Sequence, residues 1–77
     1  MPTLDEIRRV VALELGVKQV RAEDRLVDDL GVESIDLVAI LSAIEDQWGI
    51  AADESDLSSV STVADLHSLV SSLARPG

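Results

Sequence analysis

A chain of 77 residues fits one small domain, and it buries only about 60% of the surface that its unfolded form exposes, so its core is thin and a many-walled cleft is hard to build. Hydrophobic residues make up 47% of it and aromatics only 1%, which leaves Leu, Val, Ile and Ala to build the core around a single ring, Trp48. The absence of cysteine excludes disulfides, thiolate metal sites and a thiol nucleophile borne by the protein, and a net charge of −9 argues against nucleic acid as a partner.

That charge is unevenly placed. Residues 1–25 balance Arg8, Arg9, Lys18, Arg21 and Arg25 against five carboxylates. Residues 26–77 set Arg75 against ten carboxylates, so the whole excess lies there. Such a field draws basic protein patches, although taken alone it can also be a solvated acidic face. No apolar run approaches the roughly 18 residues of a membrane span, and no signal peptide is visible. A cytoplasmic monomer without membrane contact is the expectation.

Thr3-Leu4-Asp5-Glu6 reads as a capping box, and Leu4, Ile7, Val11 and Leu15 continue it at helical spacing to Gly16. Residues 17–33 lack a period; this is a long loop for a compact domain, with a short turn at Ala22–Arg25 and with Leu26, Val27 and Leu30 available to pin it to the core. Ser34 to Trp48 reads as the second helix. Leu37, Leu41, Ile44 and Trp48 form one face, while Ile35 and Val38 lie partly off it. Those two are either a contact surface or covered by the long loop. Gly49-Ile50 fits a Schellman stop. Asp53 to Ser59 has room for one or two helical turns. Thr62 caps a last helix with Asp65 three residues on; Val63, Leu66, Leu69, Val70 and Leu73 form its stripe, and Arg75-Pro76-Gly77 closes it. Period-2 alternation is absent. The expected fold is all-α: a small four-helix bundle of three longer helices and one short one, with the long loop between the first two, all in one domain over residues 1–77.

Ser34 is the most informative residue. It sits between Glu33 and Asp36, where a loop gives way to a helix. Serine at that place is often an ordinary N-cap. It is also a hydroxyl facing unpaired N–H groups and the positive end of a helix dipole, a setting that suits a phosphate linkage. Ser34, Asp65 and His67 do not make a hydrolase, since no nucleophile elbow is present, and His67 is expected to be partly exposed beside the last stripe. The acidic segment from Asp24 to Asp36 lacks calcium-loop spacing, and no metal site is expected. Trp48 is expected to anchor the core, with its indole N–H on a carbonyl.

The chain resembles the acyl carrier protein family along nearly its whole length. The resemblance rests on Leu30-Gly31 before the serine, on Ser34-Ile35-Asp36, on Ile44-Glu45-Asp46-Gln47-Trp48-Gly49-Ile50 at the end of the second helix, and on Ser61-Thr62-Val63 opening the last. It implies 4'-phosphopantetheine, joined by a phosphopantetheinyl transferase to Ser34, with Glu33, Ile35 and Asp36 around the attachment. The arm brings the thiol that the chain lacks and carries acyl groups as thioesters, so the protein is a carrier and not an enzyme. Acyl-loading and acyl-processing enzymes such as a ketosynthase or acyltransferase would dock through basic patches on Ile35, Asp36, Val38, Glu45 and Asp46. Some positions depart from the family. Glu33 stands where Asp is usual, Ile35 where Leu is frequent and Trp48 where Phe is usual, and Ala39 and Ser42 make the second helix less acidic. These departures point to polyketide or related specialised biosynthesis rather than housekeeping fatty-acid synthesis. A fatty-acid, D-alanyl or peptidyl carrier is the alternative within the class, and an unmodified acidic helical adaptor is the alternative outside it.

Overall fold

The computed structural model describes residues 2–74, so the expected Arg75-Pro76-Gly77 closure lies outside the described residues. Among the described residues three α-helices carry the fold: α1, Leu4–Leu15; α2, Ser34–Trp48; and α3, Val63–Leu73. The fourth place is taken by a 3₁₀ helix, Glu54–Ser59, where a fourth helix of the bundle was expected. Its composition explains the tighter winding. Ser58 Oγ donates to Ser55 O (2.8 Å) and Ser59 Oγ to Asp56 O (3.3 Å), and hydroxyls that bond carbonyls three residues back suit short 3₁₀ pieces. Among the described residues the only β-type pairing is an isolated antiparallel bridge between Arg25 and Thr62.

The helix ends follow from local chemistry. Thr3 Oγ1 accepts from Glu6 N–H (3.1 Å) and Glu6 Oε1 from Thr3 N–H (2.9 Å), which is the expected capping box. These bonds hold the Glu6 carboxyl below its ordinary pKa. The Schellman stop lies at the end of α1: Gly16 takes up a left-handed conformation, Val17 N–H reaches Ala12 O (3.0 Å) and Gly16 N–H reaches Leu13 O (3.2 Å). At the end of α2, where that pattern was expected, Gly49 N–H makes the single bond to Glu45 O (2.8 Å) of the simpler left-handed stop.

The core is a sealed set of aliphatics. Ile7 and Val11 of α1 meet Ile40 and Ile44 of α2 and Val63, Leu66 and Val70 of α3. Each such side chain contributes roughly 1.5–3 kcal/mol on burial, most of it offset by the entropy of ordering the chain. Helix α1 packs on both α2 and α3, and α3 also packs on the 3₁₀ helix. Trp48 is half-buried against this core as expected, but its indole N–H enters no hydrogen bond among the described residues; a half-buried ring keeps that edge near water.

Residues 16–33 run as a series of turns whose own apolar residues complete the core: Val20, Leu26 and Val32 are buried and Leu30 packs against them. Val27, expected inside, is 63% exposed. In a tight turn adjacent side chains cannot both point inward, and Leu26 is the one tied down. Its N–H donates to Ser61 O and its carbonyl accepts from Val32 N–H, both at 2.9 Å.

Candidate functional site

The approach to α2 is a closed turn. Asp29 and Leu30 N–H both reach Arg25 O (3.0 Å), and Gly31 N–H reaches Val27 O (3.1 Å). Gly31 has φ of +66°, a conformation open to glycine and costly for residues with a Cβ. It turns the chain so that Val32 goes into the core and Glu33 emerges at the surface. Arg25 braces the turn from outside. Its backbone N–H donates to Asp29 Oδ2 (2.8 Å), and its guanidinium meets Asp29 Oδ1 (3.3 Å) and Asp28 Oδ2 (3.4 Å). Hydrogen bonding to Arg25 holds the Asp29 carboxyl below its ordinary range and raises Arg25 in turn. Exposed pairs of this kind add little stability, so the effect of the brace is geometric.

Glu33, not Ser34, occupies the N-cap of α2, and Ser34 is its first helical residue. Ser34 is exposed, and among the described residues its hydroxyl enters no hydrogen bond, so it does not do the capping work that serine usually does at a helix start. Asp36 Oδ2 accepts from Glu33 N–H (2.9 Å), which fixes the entry to the helix. The positive end of the α2 dipole lies beside the Ser34 hydroxyl.

Next to Ser34 is an open groove of about 280 Å³, walled by Leu37 and Val38 of α2 and by Leu57 and Ser58 of the 3₁₀ helix. Ile35 is 73% exposed and Val38 53%, so these two are exposed apolar surface and are not covered by the long loop. Asp36 is half-buried and Asp46 is exposed. Glu45 is half-buried, and its Oε2 accepts from Ala52 N–H (2.8 Å), which clips the segment after α2 to the helix. Ser34 and Val38 therefore share one groove. Glu45 and Asp46 lie about 17 Å along α2 from Ser34, at about 1.5 Å rise per residue. The wall formed by Leu57 and Ser58 is not marked by any periodicity. Its one signal is Leu57, an isolated apolar residue in a polar stretch.

The remaining candidates are engaged elsewhere. His67 Nε2 lies 3.1 Å from Pro2 O and 3.3 Å from Ser71 Oγ, which ties the start of the chain to α3. Asp65 Oδ2 accepts from the N–H groups of Thr62 (3.0 Å) and Ser61 (3.1 Å), which lower its pKa. Among the described residues no cluster of three His, Asp or Glu side chains could hold a metal.

Residues 5–70 match the family described as the phosphopantetheine attachment site. An acyl carrier protein of Thermotoga maritima is 37% identical over 67 residues, covering 84% of this chain and 83% of the relative. The chain belongs to the acyl carrier protein family. Acyl carrier protein 3 of Ralstonia nicotianae is 43% identical over 65 residues, covering 82% of this chain and 75% of that one. Among solved structures, a chain from one described as the ishigamide ketosynthase/chain length factor matches with a TM-score of 0.75, 27% identity and 92% coverage of both chains. Acyl carrier proteins carry substrates and are not enzymes, and 4'-phosphopantetheine is the group they use. An exposed serine hydroxyl without an internal partner, set at a helix N-terminus, fits an anionic phosphodiester.

Proposed function

We propose that Ser34 is the attachment residue and that residues 1–77 act as one carrier domain, with the 3₁₀ helix as its fourth wall. The observation that carries this reading is the exposed, unbonded hydroxyl on the first residue of α2. Ser34 Oγ supplies the oxygen of a phosphodiester. The dipole of α2 favours the anionic linkage, and Gly31, Val32 and the Asp36 bond to Glu33 hold the serine outward. When bound, the phosphopantetheine arm supplies the thiol on which acyl groups travel as thioesters. Leu37, Val38 and Leu57 offer an apolar floor beside its root. Glu33 and Asp36 face the phosphopantetheinyl transferase. Ile35 and Val38 form the apolar centre, and Asp36, Glu45 and Asp46 the charged rim, of a surface for basic patches on a ketosynthase or acyltransferase. Rim charges of this kind set association rate more than final affinity.

Polyketide or related specialised biosynthesis is the pathway this reading favours. The similar chain in the ishigamide ketosynthase/chain length factor structure supports it, as does the modest acidity of the middle of α2. Among the described residues no helix is long and apolar enough to cross a membrane, and we place the carrier in the cytoplasm as a monomer.

The test is direct. Incubation with coenzyme A and a broad-specificity phosphopantetheinyl transferase is expected to add the mass of one arm per chain. Ser34→Ala is expected to add none while melting as the wild type does, since the residue is exposed. An equal mass gain in the variant would overturn the assignment.

A further inference from the structure

The described residues expose five large apolar side chains, and these fall into two groups of opposite electrical setting. Val27, Ile35 and Val38 lie within two residues in sequence of Asp28, Glu33 or Asp36. Leu13, 78% exposed, and Val17, 45% exposed, lie at and just beyond the end of α1. They border an open groove of about 450 Å³ whose charged lining is Asp5, Arg8, Arg9 and Lys18. This groove shares no lining residue with the one beside Ser34.

The cations of the rim are not equivalent. Arg8 is committed to the fold: its Nη1 pairs with Asp5 Oδ1 (3.0 Å) and its Nε donates to Val20 O (2.8 Å). Arg9 and Lys18 are exposed and enter no ion pair among the described residues. Glu6 lies near Arg9, but its carboxylate is held by Thr3 N–H. A protein of net charge −9 thus presents two cations outside any ion pair among the described residues beside two exposed aliphatic side chains. None of these four side chains belongs to the core, and the stop at the end of α1 uses only the backbone of Leu13 and Val17.

We propose that this groove is a second docking surface, and that its occupant is a short acidic amphipathic segment of a partner protein. Carboxylates of that segment pair with Arg9 and Lys18, and its apolar side chains cover Leu13 and Val17. Charge decides among the occupants. Fields are screened beyond about 8 Å at physiological salt, so the local cations govern contact, and net charge acts on the approach chiefly at low salt. A second copy of this chain would bring a further −9 to the encounter. A short segment brings its carboxylates without that burden. A surface of this kind tethers the carrier by the end of α1 and leaves the Ser34 groove free, which raises the effective concentration of the arm near the partner.

The experiment is an NMR titration of the isotope-labelled full chain with two synthetic helical peptides, one built from Glu and Leu and one from Lys and Leu. The Glu–Leu peptide is expected to give saturable shifts at Leu13, Val17 and Lys18 that weaken as salt is added. Arg9→Glu with Lys18→Glu is expected to reduce that affinity about tenfold or more, a change of about 1.4 kcal/mol. Leu13→Ser, which leaves every charge in place, is expected to weaken it as well. Any of three results overturns the proposal: no saturable binding, equal binding to the charge-reversed chain, or groove shifts that grow with protein concentration in the absence of peptide. Arm attachment at Ser34 is scored separately by mass, so failure here and failure of the carrier reading are distinguishable.

Discussion

Helices α2 and α3 begin with the same backbone geometry and treat their first turns differently. Glu33 and Thr62 are both extended N-caps, with φ and ψ of −98° and 170° in one and −111° and 170° in the other. At α3 the polar groups are matched. Thr62 Oγ1 accepts from Asp65 N–H, Asp65 accepts from Thr62 and Ser61, Val63 N–H donates to Asp24 O (3.1 Å) and Ala64 N–H to Ala22 O (2.9 Å). At α2, among the described residues, no carbonyl from elsewhere in the chain reaches the N–H groups of Ser34 or Ile35, and the serine hydroxyl is free. The α3 start is closed by its own box and by carbonyls of Ala22 and Asp24, whereas the α2 start has only the local Glu33–Asp36 bonding and stays open to the surface. Composition alone does not separate them, since both offer a hydroxyl and an acid in the first turn.

The contrast can be broken from either side. Thr62→Ala removes the cap of the finished start and is expected to cost about 1 kcal/mol in urea unfolding. For a domain of this size that is roughly 4–8 °C in Tm. Arm attachment measured well below the melting point should not change, and a large drop in its rate would mean that α3 also shapes the Ser34 site. Glu33→Thr gives the open start the cap that α3 has. It should stabilise the chain by roughly 0.5–1 kcal/mol in the same assay and slow arm attachment, because a capping hydroxyl then claims the N–H groups beside Ser34. Faster attachment with unchanged stability would contradict the idea that openness there is functional. The smallest effect concerns pH. The Asp65 carboxyl has a lowered pKa in the folded chain, so its stabilising contribution is complete above the ordinary carboxylate range, about pH 4, and is lost as pH falls through the depressed value. The Tm gap between wild type and Asp65→Asn should therefore narrow on acidification, and a gap that widened would have the wrong sign.

Much of this was legible in the residues. The boxes at Thr3 and Thr62 work through contacts three residues apart, and such local chemistry can be read without a fold. The exposure of Ile35 and Val38 followed from counting apolar residues that one stripe could not use, although only the fold could decide between a free surface and one under the loop. Val27 shows the limit. Whether it or Leu26 turned inward depended on Ser61, more than thirty residues away, accepting the Leu26 N–H. The wall of Leu57 and Ser58, and the use of Glu45 to clip Ala52, are likewise products of packing across the chain. Ser34 was singled out by family resemblance and flanking charge, and the helix runs from Ser34 to Trp48 as read; that Glu33 rather than Ser34 takes the cap came from backbone geometry.

The bonds that join residues 22–26 to residues 61–64 also have a kinetic consequence. Leu26, Val63 and Ala64 donate across about forty residues of chain, so none of these bonds can form until α2 and the 3₁₀ helix have brought the two segments together. Their amides therefore report closure of the whole topology rather than fraying of one helix. In hydrogen exchange they should open as a single unit with the global transition, while the amide of Ser34, at the unfinished helix start, exchanges ahead of them.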